Sequence, residues 1–381
     1  MSQINLFSTN YEDKKKYSIQ ECEKKLKQLE WKNGSFEKQS WGHSLHRIGP
    51  YVGRIKPSFA HFILKYFTNI DDVVLDPFCG IGTFSLEAAL LGRKSIGFDI
   101  NPYALKIAKS KTQVNLDVEK LIRIIDRAPI NKESIDLKSI PEWVKEYYNL
   151  ETLKEILSLL EYFKKNRHHY IYGCLLAISQ GHRVGHLSKP SAWTLPFKPK
   201  PDDPGEYREV KPRLIAKIKR NLKDGSLEEK LLEIRKCNAT KLKLEKNSID
   251  KIVSSPPYFN TLDYINSHRL RLAIMGVHDE EVKKNLKKKT IQHFKTYLED
   301  MEKVVIQLHY VLKKGGRCCF VVGDHFTPKK DINTAEELSK IFENNGFKQL
   351  FNVQDVIPVN KSIQKRTTKI KYERIIAFEK R

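Results

Sequence analysis

The chain has 381 residues, enough for one large core or two domains. Lysine and arginine exceed aspartate and glutamate by 69 − 46 = 23, which points to a polyanionic partner, nucleic acid first, with a merely solubilising lysine-rich surface as the alternative. No stretch of about 18 apolar residues occurs and the polar, charged start has no secretory pattern, so no membrane span and a cytoplasmic location are expected.

The six cysteines, Cys22, Cys79, Cys174, Cys237, Cys318 and Cys319, form no C-x-x-C pair, and no histidine cluster has zinc spacing, so no metal centre is expected. Cys318 and Cys319 lie inside an apolar strand, where neighbours in sequence are poorly placed to bridge. All six are expected as reduced, buried thiols.

Residues 1–50 form a polar, lysine-rich lead-in with a helical pattern near Ile19–Trp31 and an ordered Trp41–His46 stretch whose role is open. A helix starts at Lys56, with Pro57 near its first position and Phe59, Phe62, Ile63, Tyr66 and Phe67 on one face. The β-branched run from Val73 then enters a glycine-rich turn, Asp76-Pro77-Phe78-Cys79-Gly80-Ile81-Gly82-Thr83, followed by a helix from Phe84 to Leu91 that Gly92 closes. Gly80 and Gly82 let the backbone approach a ligand closely. The next strand ends in Asp99, about 20 residues beyond the turn, where an acid can hold a ribose. The turn is not a full G-x-G-x-x-G and lacks the P-loop lysine, so a nucleoside that is cationic and carries no phosphate suits it better than a dinucleotide. Asn101 can cap the following helix, with Pro102 at its first position.

After Thr112 the alternation of strand and helix stops. Residues 113–235 carry helical patterns at Glu151–Lys165 and Tyr170–Ile178, an irregular stretch from Gly181 to Trp193, a Pro- and Asp-rich segment and a basic helix with Lys211, Arg213, Lys217, Lys219 and Arg220. Basic, glycine and aromatic residues together suit phosphate and groove contacts, with Arg183, His186, Lys189 and Trp193 the candidates; a purely structural insertion or an oligomer contact is the other reading. The densest lysine run, Lys283-Lys284 with Lys287-Lys288-Lys289, reads as a solvated surface.

Alternation resumes with strands expected at 237–240 and 251–254. The second runs into Ser254-Ser255-Pro256-Pro257-Tyr258. Two prolines at a strand end fix a rigid, extended turn whose carbonyls stay free to accept hydrogen bonds. A serine oxygen, a free carbonyl and an aromatic plate suit a planar base with an exocyclic amino group, although a Pro-Pro turn with a packing tyrosine has the same residues. Phe259-Asn260-Thr261-Leu262-Asp263-Tyr264 follows; Asp263 and Tyr264 either orient the base or loop, or mark a helix N-terminus. A helix at Tyr297–Leu312 is expected to end at Gly315-Gly316, then strands at 317–323, 349–358 and 372–380, with Thr334 and Glu337 as a capping box and Gly346 closing that helix.

Asp76–Thr83 resembles the S-adenosylmethionine loop of amino-methyltransferases, and Ser255-Pro256-Pro257-Tyr258 resembles the catalytic loop of DNA cytosine-N4 methyltransferases. The resemblance covers roughly residues 50–112 and 236–381 and implies an α/β, Rossmann-like class I methyltransferase sheet of seven strands, the last antiparallel. It divides the chain into the lead-in (1–50), a cofactor half (51–112), an inserted target-recognition region (113–235) and a catalytic half (236–381). In that family the segment before the first strand closes over the methionine end of S-adenosylmethionine. By resemblance, Asp76, Phe78, Gly80, Gly82 and Thr83 hold the cofactor, Asp99 its ribose and Asn238 its adenine amino group. Ser255, Pro256, Pro257 and Tyr258 then serve a flipped cytosine in double-stranded DNA, within a restriction–modification pair with a cognate endonuclease or alone. Cys79 lies in the cofactor loop, so the covalent cytosine-C5 route lacks its nucleophile. Adenine-N6 enzymes more often carry Asp or Asn where Ser255 stands, but Ser is not decisive. An adenine-N6 enzyme, an RNA or tRNA guanine-N2 methyltransferase, and a catalytically silent nucleic-acid-binding protein stay open beside the cytosine-N4 reading.

Overall fold

The computed structural model describes residues 15–181, 183, 185–190, 205–259, 266–277, 294–326, 331–356 and 370–381. The first parallel unit is β1 (Val73–Asp76), α3 (Thr83–Leu90), β2 (Lys94–Asp99) and α4 (Pro102–Ser110), preceded by α1 (Ile19–Lys27) and α2 (Pro57–Phe67). Pro57 occupies the first turn of α2, and Asn101 Oδ1 accepts from the N–H groups of Tyr103 and Ala104 to cap α4. Helices α5 (Val118–Arg127), α6 (Glu142–Lys145), α7 (Leu150–Lys165), α8 (His169–Ile178) and α9 (Val210–Asn221) follow. The chain then re-enters the sheet through β3 (Leu232–Lys236) and β4 (Ile249–Ser254), continues through α10 (Arg269–Ile274), α11 (Phe294–Val311) and β5 (Leu312–Phe326), and ends with β6 (Asp331–Ile332), α12 (Thr334–Asn344), β7 (Phe347–Val356) and β8 (Ile370–Lys380).

The sheet order is β3-β2-β1-β4-β5-β8-β7, with the two-residue β6 attached to β5. All neighbours along this path are parallel except β8, which runs antiparallel to both β5 and β7. This is the Rossmann-like methyltransferase sheet expected from the sequence, seven strands with the last reversed. Side chains alternate between its faces. Val74, Val253, Cys319, Val321, Phe351, Val353, Ile375 and Ala377 pack under α1 and α2, while Leu75, Ile252, Cys318, Phe320, Val322, Ile376 and Phe378 pack under α11 and α12. Cys318 and Cys319 thus serve opposite faces. All six cysteines are free, and five are buried; Cys237 is half-buried.

Several expected boundaries and caps differ, among them three with a clear physical cause. The third strand is Leu232–Lys236, ending where 237–240 was expected to begin. It is an edge strand on which only Leu232 and Ile234 are buried, so it lacks an apolar run. Gly315 and Gly316 do not follow the end of a helix but lie inside β5, in a bulge between the Ile249–Leu312 and Lys251–Arg317 pairs. Asn333, not Thr334, caps α12 through its side-chain oxygen and the Glu336 N–H at 3.1 Å.

Helices α4, α7, α8 and α9 share one core with α3 and with Leu232 and Ile234 of β3. Gly173 lets α8 lie against α4, because a Cβ there would stand 2.6 Å from the Ser110 Cβ. Arg271 of α10 is fully buried at the carboxyl end of α8, donating to the Leu176 carbonyl at 3.1 Å and the Gln180 carbonyl at 2.9 Å, where a helix end favours a cation. Among the described residues no helix is long and apolar enough to cross a membrane.

Candidate active site

From β1 the chain turns toward β2 on one side, while β4 lies on the other, so the strand order reverses between β1 and β4. Crevices at such a reversal, beyond the carboxyl ends of the strands, are where open α/β sheets bind ligands. The glycine turn leaves β1 there, and Ser255-Pro256-Pro257-Tyr258 leaves β4 beside it. One buried bond joins the two ends: Ser254 Oγ donates to Asp76 Oδ1 at 2.6 Å, and the same oxygen accepts from the Phe78 N–H at 3.2 Å. Burial pushes the Asp76 carboxyl up to about 7, with the nearby Asp99 charge adding to the rise.

Gly80 and Gly82 both lie in the left-handed region, at φ +52° and +75°. A Cβ on Gly80 would stand 3.3 Å from the Tyr51 ring, so the turn must stay bare. Asp99 braces it from the end of β2: Oδ2 accepts from the Gly80 N–H at 2.8 Å and Oδ1 from the Asn101 N–H at 2.7 Å. Burial raises its carboxyl as well. From beneath, the buried Lys111 ammonium donates to the Ile81 carbonyl at 2.6 Å, and burial brings that amine down to about 7. Thr83 opens α3 and is buried; Phe78 is half-buried. Asn238 follows β3, where Cys237 N–H donates to the Asp99 carbonyl at 3.1 Å, and its Oδ1 accepts from the Thr240 N–H at 3.2 Å.

In the second loop Ser255, Pro257 and Tyr258 are half-buried and Pro256 is buried. The Tyr258 hydroxyl donates to Glu373 Oε1 of β8 at 3.0 Å. Sequence reasoning missed Ser254 and Glu373 as members of this site. Ser254 stands at the head of the Ser-Ser-Pro-Pro-Tyr stretch without an assigned role there, and Glu373 lies in no motif; each acts through a partner far away in the chain.

Arg183 is exposed, and His186 is half-buried with Nδ1 3.3 Å from the Arg183 carbonyl. Lys189 is buried at 8% exposure, its N–H donating to the Tyr147 carbonyl at 2.8 Å. Trp193, Asp263, Tyr264 and the Lys283–Lys289 run lie outside the described residues.

A family model described as DNA methylase matches residues 2–110 and 249–381. The chain belongs to the N4/N6 DNA methylase family. Residues 111–248 fall between the two matched segments. Among curated proteins, this methylase is 34% identical over 130 residues to the type II methyltransferase M.MjaII of Methanocaldococcus jannaschii, covering 34% of this chain and 22% of that one. It is 27% identical over 266 residues to the type II methyltransferase M.BsoBI of Geobacillus stearothermophilus, covering 58% and 51%. It is also 38% identical over 87 residues to the tRNA (guanine(10)-N2)-dimethyltransferase of Methanocaldococcus jannaschii, covering 23% and 22%. The chain thus matches from about a fifth to a half of the length of these relatives.

S-adenosylmethionine is the cofactor of the family, and the residues present fit it. The two glycines leave a bare backbone cradle, and the Asp99 carboxyl and the Asn238 amide are polar groups of the kind that a nucleoside's hydroxyls and amino group would need. Two carboxyls raised by burial, Asp76 and Asp99, suit a cationic ligand better than an anionic one.

Proposed function

We propose that this methylase places a methyl group on the exocyclic N4 of cytosine, in a base flipped out of double-stranded DNA. The observation that carries this reading is the Ser254–Asp76 bond, which fastens the start of a Ser-Pro-Pro-Tyr loop to the floor of the glycine turn. A reactive amino group on one loop and a methyl donor on the other would meet there. S-adenosylmethionine supplies the methyl group from its sulfonium.

In this reading Gly80, Gly82 and Thr83 line the donor, with Asp76 and Phe78 at its edge, Asp99 on its ribose and Asn238 on its adenine. A base stacked in a duplex is out of reach, so it leaves the helix at a cost of a few kcal/mol. The Tyr258 ring stacks on the flipped base. Ser255 and the Pro256 carbonyl accept hydrogen bonds from its amino group, and Pro257 keeps the turn rigid. Accepting both N–H groups drives the nitrogen toward a tetrahedral shape with its lone pair toward the methyl carbon. Transfer would exchange the donor's C–S bond for the new C–N bond, and the amino proton would pass to solvent. Rate then comes from positioning and electrostatics. Serine at position 255 favours cytosine over adenine on the family resemblance. The stretch with Arg183, His186, Lys189 and Trp193 would contact the DNA; Arg183 is exposed. The type II names of M.MjaII and M.BsoBI support a modification role beside a cognate restriction endonuclease.

Nucleoside mass spectrometry on DNA from cells expressing the chain, beside a Ser255→Ala control, tests this. N4-methylcytosine is expected only with the intact protein. N6-methyladenine instead would keep the fold and overturn the base. Neither mark would overturn the DNA reading in that host and direct the search to RNA, the substrate class named in the tRNA-methylating relative.

A further inference from the structure

The face of the sheet under α1 and α2 is apolar along β7 and β8, with Phe351 and Val353 on one strand and Ile375 and Ala377 on the other. By the two-residue period of a strand, Asp355 and Glu373 continue those rows, and the two are paired in register across the strands. An acidic pair thus ends two apolar rows, beside the carboxyl ends of the parallel strands. Like charges directly opposite one another are unfavourable and call for partners. Asp355, 4% exposed, has them in the lead-in: Trp31 Nε1–H donates to its Oδ2 at 3.0 Å and the Lys32 ammonium binds its Oδ1. Glu373 has its partner in the catalytic loop, the Tyr258 hydroxyl at 3.0 Å. On β5 its register neighbour is Gly323, which adds no side chain beside it.

We infer that Glu373 is a positioning residue: its carboxylate holds the Tyr258 phenol and so fixes the plane on which the target base stacks. This deepens the proposed function and rests on reading Tyr258 as the base platform. The hold depends on protonation. Burial pushes the Glu373 carboxyl up to about 7; the Tyr258 bond pulls against that rise, Asp355 adds to it and Lys32 opposes it. Lys56, at the start of α2, donates to the Trp31 carbonyl at 3.1 Å and is a further charged group acting on Asp355. The adjacent Arg374 is engaged by Asp324 at 2.5 Å. A carboxylate accepts a stronger bond from a phenol than a neutral carboxyl does, so the platform tightens as pH rises through that range.

The test places 3-fluorotyrosine at position 258 of the full-length protein and follows its fluorine resonance from pH 5.5 to 8, beside steady-state methylation. The resonance should titrate near 7 and lose that step in Glu373→Gln. Glu373→Ala should lower kcat about tenfold with little change in cofactor KM. Glu373→Gln, whose amide oxygen still accepts from the phenol, should recover most of the rate with a flatter pH profile. The Tyr258→Phe/Glu373→Ala double variant should be no slower than Tyr258→Phe alone. A resonance that ignores Glu373→Gln, or losses that multiply in the double variant, would overturn the inference. If wild-type protein methylates no DNA, the proposed function fails, and the resonance still decides whether Glu373 holds the ring.

Discussion

Asp99 engages both carboxylate oxygens with the turns around it, Oδ2 with Gly80 and Oδ1 with Asn101. A carboxylate offers about four acceptor sites, so the bracing of the turn leaves room for the proposed ribose contact. Asp99→Asn replaces one carboxylate oxygen with an amide NH2, a donor facing a backbone N–H donor. The expected result is an S-adenosylmethionine Kd raised about tenfold or more, measured by calorimetry on the unliganded protein, with the fold kept. An unchanged Kd would remove Asp99 from the cofactor site. The glycines, Asp76, Asp99 and the Ser-Pro-Pro-Tyr run could be read from the sequence as a candidate site because their spacing is local. The roles of Ser254 and Glu373 could not: their bonds close over 178 and 115 residues of chain, and no single stretch of sequence records such a pairing.

Two elements converge on Glu87 of α3. His46, in the 3-10 turn Ser44–Arg47, presents Nε2 to Oε1 at 2.6 Å, and His61 of α2 presents Nδ1 to Oε2 at 3.1 Å. Glu87 and His46 are both 1% exposed. Burial works against the Glu87 charge, but the two imidazole bonds outweigh it and hold the carboxyl down to about 2, while burial brings His46 down to about 4 and keeps it neutral at physiological pH. A depressed carboxyl contributes stability that is present above its unfolded value, near 4.5, and is lost as pH falls toward 2. Glu87→Gln should therefore cost about 3 kcal/mol at neutral pH, and the gap to wild type in urea unfolding should close below about pH 4.5. A gap independent of pH would mean that the glutamine acts by packing alone. This clamp gives the lead-in an attachment that its sequence left open. Pro57 and Asn101 announced α2 and α4 through local backbone chemistry, whereas β3 hid behind its charged edge and Gly315-Gly316 mimicked a helix end while forming a bulge.

At the scale of the whole molecule, a net charge of +23 is a statement about phosphates rather than about bases. The sheet was legible from its strand ends, but the surface that would meet DNA was not, because basic residues serve packing as readily as recognition; Lys189 is buried, while Arg183 is exposed. Salt separates the two roles. Phosphate contacts release counterions, so DNA affinity should fall by about a thousandfold between roughly 50 and 200 mM salt if some six phosphates are engaged. Cognate and unrelated duplexes should share that slope, since it carries no sequence information. Arg183→Ala then distinguishes its own roles in a fluorescence-anisotropy titration. A phosphate contact would lower the slope by about one and leave the preference for cognate DNA intact. A base contact would keep the slope and reduce the preference by about 1–3 kcal/mol. A flat salt response from the intact protein would detach the basic surplus from DNA altogether.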